Sequence, residues 1–148
     1  MMRRVETGET YVGEVPLELF RGDAFKSQLY LDRAVELVLR GVEVLAVPKE
    51  EPIHVCMGYI LSKVREALRE KGFRVIPAKI RGETQALAER EFIRSLAKMG
   101  VGDDEAVAGM RSFSAFLRWV LEDLEGRERY VKTGWPAWPR LKEEGRPR

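Results

Sequence analysis

The fold predicted from this sequence depends on Val42-Glu43-Val44-Leu45-Ala46-Val47, a short apolar run rich in β-branched residues and followed by Pro48. A run of this length and composition predicts a buried strand. A second run, Phe73–Ile80, predicts another strand, and Pro77 favours an edge position or a bulge for it. We expect the two strands to lie side by side and parallel, so that their exits meet in a common pocket.

Apolar residues at helical spacing predict helices on both sides of these runs. The alternation of helix and strand predicts an α/β fold, in which a small, mainly parallel sheet of three or four strands is packed against helices. The predicted helices span Phe25–Leu39 (capped by Asp23 and ended by Gly41), Ile53–Lys71 (ended by Gly72), and about Glu83–Met99 (ended by Gly100).

Two further segments complete the predicted architecture. Near the N-terminus, Val5–Thr7 and Thr10–Val12 alternate around a Gly-Glu pair, which predicts two short strands joined by a tight turn. After Gly100 we expect a C-terminal helical extension, capped by Asp103 or Asp104 and divided near Gly109 and Ser112. The order of these elements predicts a single α/β domain over residues 1–126, followed by a basic, aromatic tail over residues 127–148.

Composition limits the class of protein. The chain has 148 residues and a formal net charge of +2, and Cys56 is its one cysteine, which excludes an internal disulfide framework. No apolar run approaches the roughly 18 residues of a membrane span, so we expect a cytoplasmic protein without a membrane partner. There is no asparagine, and 18 arginines stand against 8 lysines, a pattern that predicts a thermophilic source.

The exits of the two predicted strands form a candidate ligand site. Ligands of open α/β sheets bind beyond the carboxyl ends of the strands, where helix N-termini attract anions. A phosphate is the expected ligand, bound by cationic side chains and by backbone amides near a glycine. The alternative is that the segment only begins a helix, with Arg81 paired to Glu50 or Glu51, since most strand ends bind nothing. The candidate ligand-binding residues are Lys79, Arg81, Gly82, Glu83 and Thr84.

Catalytic residues have only weak candidates, namely Glu50, Glu51 and His54. A histidine beside carboxylates suits a general base, but a partly buried histidine in a first helical turn is the simpler interpretation. In the predicted helix His54 and Cys56 point in different directions, which argues against a shared metal ion. Glycine-rich phosphate loops and acidic calcium loops are absent from the sequence, so we predict no cofactor and no metal.

The C-terminal tail combines positive charge with aromatic rings. Its seven basic and three acidic side chains give residues 127–148 a charge of +7 − 3 = +4. Cations neutralise phosphates and aromatic faces stack on unpaired bases, a combination that favours single-stranded nucleic acid. The competing interpretation, which we favour, is that the tryptophans dock on their own domain or on a sister subunit. The tail candidates for nucleic-acid or partner binding are Arg127, Arg129, Tyr130, Lys132, Trp135 and Trp138.

Three functions follow as hypotheses from these features. The first is a non-catalytic binding protein for a phosphate-bearing ligand, with RNA or DNA as the expected partner. The second is a metal-dependent phosphoryl-transfer or nuclease-type enzyme at the strand exits, although the convergent aspartates that hold magnesium are missing. The third is a structural or interaction subunit that forms a homo-oligomer through its tryptophan-containing tail. Whether the protein is an enzyme is left open by the sequence.

Overall fold

The computed structural model describes residues 1–110 and 112–144. Within it the chain forms two compact units. Unit 1 comprises Met1–Val15 and Gln28–Glu91, and unit 2 comprises Pro16–Ser27 and the chain from Phe92 onward. The predicted domain boundary at residue 126 stays a prediction.

Unit 1 begins with a small antiparallel pair, β1 (Met2–Arg3) and β2 (Thr10–Tyr11). Gly8 has φ +76°, a left-handed conformation that glycine adopts without strain. The predicted turn is therefore present, but the first strand precedes Val5–Thr7, which themselves form the turn.

The long helix α2 (Leu29–Val44) corrects the prediction that Val42–Val47 is a strand. Leu31, Ala34 and Val42 are buried on one face of α2, and Leu45 is buried directly after its end. This spacing is helical, so packing of one continuous apolar face overrides the local preference of β-branched residues. Gly41 lies inside the helix and does not end it as predicted.

The first strand of the parallel sheet begins at Ile53 instead of Val42, whereas the second lies within its predicted range. Strand β3 (Ile53–Cys56) pairs with β4 (Val75–Ala78), with Ile53 opposite Val75 and Cys56 opposite Ala78. The predicted helix over Ile53–Lys71 is thus wrong at its start, and the observed helix between the strands is α3 (Ser62–Glu70), which ends close to the predicted Gly72. In the described residues the strands form two separate two-stranded sheets, β1–β2 and β3–β4, so the predicted sheet of three or four strands is too large.

The core of unit 1 lies between the parallel pair and helices α2 and α3. Its buried members include Val55 from β3 together with Val64 and Leu68 from α3, which are at most 1% exposed. Helix α4 (Glu83–Lys98) follows β4 and confirms the predicted helix over Glu83–Met99. The predicted order of helix, strand, helix, strand, helix is therefore correct, and the first strand is misplaced within it.

Unit 2 is helical in its described part. It contains α1 (Gly22–Lys26), α5 (Asp104–Gly109), α6 (Phe113–Glu122), α7 (Leu124–Arg127) and α8 (Trp138–Glu144). Asp103 caps α5 by accepting a hydrogen bond from the Ala106 amide at 2.8 Å, and Ser112 caps α6, which confirms the predicted division. The predicted cap at Asp23 is wrong, because α1 begins one residue earlier, at Gly22.

Candidate functional site

The ends of β3 and β4 bring two segments of the chain together. Because Cys56 lies opposite Ala78, Met57 and Lys79 leave the sheet from neighbouring positions, about 4.8 Å apart at the strands. We call the segments that follow, Met57–Tyr59 and Lys79–Gly82, the strand rim. As expected, the exits of two parallel strands lie side by side, but the first of these strands is β3 and not the predicted Val42–Val47.

Three helix N-termini also lie at the strand rim. Helix α4 begins at Glu83, shortly after the exit of β4, and α3 begins at Ser62, after the short 3₁₀ helix Tyr59–Leu61 that follows the exit of β3. The start of α2 is placed there by two contacts: Gln28 Nε2 donates to Tyr59 Oη at 2.9 Å, and Lys63 Nζ lies 2.7 Å from Asp32 Oδ1. Helix N-termini carry partial positive charge, so their convergence favours a bound anion.

Charged side chains around the rim fall into two groups. Arg3 pairs with Glu83 at 2.6 Å, and Lys63 pairs with Asp32.

Lys79 and Arg81 form the second group: they are exposed, and within the described part of the chain neither has an ion-pair partner. Gly82 follows with φ +68°, and its α-carbon faces open space. The rim thus presents two unpaired cations directly before the start of α4, where Thr84 is half-buried.

Two large side chains from the β3 exit are exposed at the same rim. Met57 is 63% exposed and Tyr59 is 62% exposed. Burial raises the pKa of Tyr30, and the electrostatic influence of Tyr59 raises this pKa further. The Tyr59 ring is therefore an accessible aromatic surface whose hydroxyl is fixed by Gln28.

Arg65 from α3 holds the β3 exit in place. Its guanidinium donates to the carbonyl oxygens of Cys56 at 2.7 Å and Gly58 at 3.3 Å. A guanidinium has several donors in a fixed plane and can bridge two acceptors. Arg65 therefore acts as a positioning residue for the segment that carries Met57 and Tyr59.

Glu50 and Glu51 do not reach the strand rim. Both precede β3, so they lie at the amino ends of the strands, while Lys79 follows the carboxyl end of β4. The length of β3 separates the two ends by about 10 Å. Glu51 is paired there with Arg4 at 2.7 Å. The prediction that Glu50, Glu51, His54 and Lys79 line one pocket is wrong. The segment before β3 is a loop at the amino ends of the strands, whereas Lys79 lies at the carboxyl ends.

His54 and Cys56 lie on a strand instead of a helix, which changes their relation. Alternate residues of a strand share a face, and both side chains are exposed while Val55 between them is buried. The argument that they point in different directions is therefore wrong. Within the described residues, no three side chains of histidine, cysteine, aspartate or glutamate lie close enough together to hold a metal ion.

The tail residues are largely engaged within unit 2. Trp138 is 5% exposed and its indole Nε1 donates to Glu128 Oε1 at 2.8 Å, so its ring is not available for stacking in this structure. Trp135 is 42% exposed and meets Phe113 edge to face, with ring centroids 5.6 Å apart.

The tail cations are placed over aromatic rings. Arg127 lies 4.4 Å from the Trp119 ring centroid and donates to the Trp119 carbonyl oxygen at 2.5 Å. Arg129 lies over the ring of Tyr130, and Lys132 Nζ lies 4.2 Å from the ring centroid of Phe20. Burial lowers the pKa of Lys132. Each of the three cations thus packs against an aromatic ring of unit 2.

Sequence reasoning missed Met57, Tyr59 and Arg65, because the segment that carries them was assigned to a helix. The signal that identifies them is the alternation in Ile53-His54-Val55-Cys56 followed by Gly58.

No protein-family model matches this chain, and comparison with curated proteins and with solved structures found no significant match. No helix in residues 1–110 or 112–144 combines the length and apolar character needed to cross a membrane.

Proposed function

We propose that this protein binds single-stranded nucleic acid at the strand rim, with Lys79 and Arg81 contacting phosphates and Tyr59 stacking on a base. The observation that supports this function is the parallel pairing of β3 and β4, which directs an exposed ring and two unpaired cations to one edge. Phosphate groups are attracted by cations and by helix N-termini, whereas unpaired bases stack on aromatic faces.

Single strands are favoured over duplexes by the chemistry of the site. In a duplex the base faces are stacked on one another, so the Tyr59 ring has no face to contact. An unpaired base stacked on an aromatic side chain contributes about 1–3 kcal/mol. No carboxylate cluster accompanies the rim within the described residues, so the geometry supports binding and gives the nuclease-type hypothesis no support.

The direct test is fluorescence anisotropy with labelled 12-nucleotide oligo(U) and oligo(dT), titrated at several salt concentrations. We expect binding that weakens as salt rises, and a Lys79→Ala/Arg81→Ala variant that binds more weakly. Removing two phosphate contacts should reduce the slope of log K against log salt by about 1.4, since each contact to a single strand contributes about 0.7.

Lys71→Ala/Arg74→Ala is the matched control, because it removes the same two charges near the amino end of β4. This variant should retain the affinity and the salt slope of the parent. Absence of binding to either oligonucleotide at low salt, or equal losses in the two double variants, would remove the proposal.

The role of Tyr59 has its own test in the same assay. Tyr59→Ala should weaken binding by about 1–3 kcal/mol, whereas Tyr59→Phe keeps the ring and should bind nearly as the parent does. A Phe variant as weak as the Ala variant would show that the hydroxyl group, rather than stacking, contributes the affinity.

A further inference from the structure

The two outer edges of the β3–β4 sheet differ. The Ile53 amide donates to the Arg74 carbonyl oxygen at 2.8 Å, so Ile53 and Val55 face β4, while His54 and Cys56 direct their backbone groups to the outer edge of β3. On β4 the outward positions are Val75 and Pro77, and a proline has no N–H to donate. Strand addition is therefore blocked beside Pro77 and open beside His54.

The open edge of β3 is self-complementary. Within the described residues the His54 N–H, the His54 C=O and the Cys56 N–H have no backbone partner, and the Cys56 carbonyl keeps a lone pair beside its bond to Arg65. An antiparallel second copy with Val55 opposite Val55 satisfies these groups. His54 of each copy then lies opposite Cys56 of the other copy, and each such pair exchanges two backbone hydrogen bonds. The two pairs together give four bonds around one two-fold axis.

This pairing assembles a set of metal ligands that one chain lacks. His54 and Cys56 are exposed on the same face of β3, about 6.7 Å apart along the strand, and the second copy places the same pair about 5.5 Å away across it. The four Cα atoms form a rectangle whose centre lies about 4 Å in projection from each of them. Two imidazoles and two thiolates converge there, the ligand set of tetrahedral zinc, with bonds of about 2.0–2.3 Å.

We propose that two copies of this chain pair through β3 and hold one Zn²⁺ between them, with His54 and Cys56 of each copy as ligands. Each copy carries half of the site, in agreement with the finding that no described part of a single chain groups three ligands. The two thiols bind as thiolates, so binding one Zn²⁺ releases two protons and strengthens as the pH rises. Zinc favours sulfur and nitrogen over oxygen ligands, which selects it against magnesium and calcium.

The first experiment measures the mass and metal content of the full-length chain. Metal-free protein is titrated with ZnCl₂ under reducing conditions and analysed by size-exclusion chromatography with light scattering. We expect conversion to a dimer that saturates at half an equivalent of zinc per chain. A mass that zinc leaves unchanged, or saturation at one zinc per chain, would overturn the proposal.

Cobalt identifies the ligands independently of the mass. Co²⁺ bound by two thiolates and two imidazoles in a tetrahedron should give strong visible absorption and a thiolate-to-cobalt charge-transfer band. The charge-transfer band should disappear in Cys56→Ser, and the tetrahedral visible spectrum in His54→Ala.

Both substituted side chains are exposed, so the variants should keep the circular dichroism of the parent. Lys71→Ala, which removes an exposed side chain outside the strand rim, is the control and should bind zinc and dimerise as the parent does. Retention of the zinc-dependent dimer by either ligand variant contradicts the proposal. Oligonucleotide binding serves as a separate readout, since neither ligand belongs to the strand rim.

Discussion

The ammonium group of Lys142 donates to both carboxylate oxygens of Glu128, at 2.9 Å each, and so joins α8 to the turn that follows α7. The same carboxylate accepts the indole N–H of the buried Trp138. One acidic side chain thus satisfies two groups of α8 and holds this helix against the start of the same C-terminal segment.

The first prediction concerns pH. Hydrogen bonds from Lys142 and Trp138, in that order, lower the pKa of Glu128 from its ordinary value of 4.5. A carboxyl with a lowered pKa stabilises the fold above its unfolded pKa, and this contribution disappears as the pH falls through the lowered folded value. Both partners are about one-third exposed, so the contribution is at most about 1 kcal/mol. We expect the parent to melt above Glu128→Gln at pH 7 and the difference to close progressively as the pH falls below 4.5. A difference in melting temperature that is constant over that range would contradict the assignment.

The second prediction separates the two tail tryptophans. Trp138→Ala removes a buried ring and should lower the free energy of unfolding by about 3–5 kcal/mol. Trp135→Ala removes a ring that is 42% exposed and makes one edge contact, so it should cost about 1 kcal/mol. Urea denaturation of the two variants gives both values. Equal losses would mean that the tail is not docked through Trp138.

The third prediction concerns the glycine inside α2. A β-carbon at Gly41 would overlap Met2 Sδ and would lie 2.6 Å from Tyr11 Cδ1. We expect Gly41→Ala to destabilise the protein, because overpacking costs about 1–3 kcal/mol and exceeds the gain in helix propensity of about 1 kcal/mol.

Gly109 is the matched control for this substitution, since a β-carbon there meets nothing within 4 Å. Gly109→Ala should be neutral or stabilising by up to about 1 kcal/mol. Thermal unfolding of the two variants measures the contrast. Stabilisation in both would show that the β1–β2 pair does not pack against α2.

The fourth prediction concerns Arg65 and depends on the proposed function. Arg65→Lys keeps the charge but replaces a planar group that bridges two carbonyl oxygens with a single ammonium. Amide hydrogen exchange at residues 57–59 should become faster, and oligonucleotide affinity should fall several-fold with an unchanged salt slope. Unchanged exchange at these residues would show that Arg65 does not position the β3 exit.

The order of elements in unit 1 could be predicted from the sequence, but the position of the first strand could not. Val42–Val47 has the composition of a strand, yet Leu31, Ala34 and Val42 form one apolar face that continues α2 to Val44. Local preference and helical spacing point to different structures there, and only the packing of α2 against α3 and the β1–β2 pair decides between them. The caps at Asp103 and Ser112 were predictable, because each needs only a side-chain oxygen close in sequence.

The candidate site was predictable on one side only. Lys79 and Arg81 follow Val75–Ala78, which lies within the predicted strand Phe73–Ile80, so their place at a strand exit came directly from the sequence. The other side depends on which segment pairs with β4. Moving that strand from Val42–Val47 to Ile53–Cys56 replaces Glu50 and Glu51 at the exit with Met57 and Tyr59. Strand partners are distant in sequence, and no local pattern specifies them.

Pro77 also limits how large an assembly can become. A protein with two open strand edges can add copies without end and form fibres, whereas one with a single open edge is finished once that edge is covered. Since Pro77 removes a donor from the outer edge of β4, the proposed pairing through β3 would end in a closed dimer with no growing end.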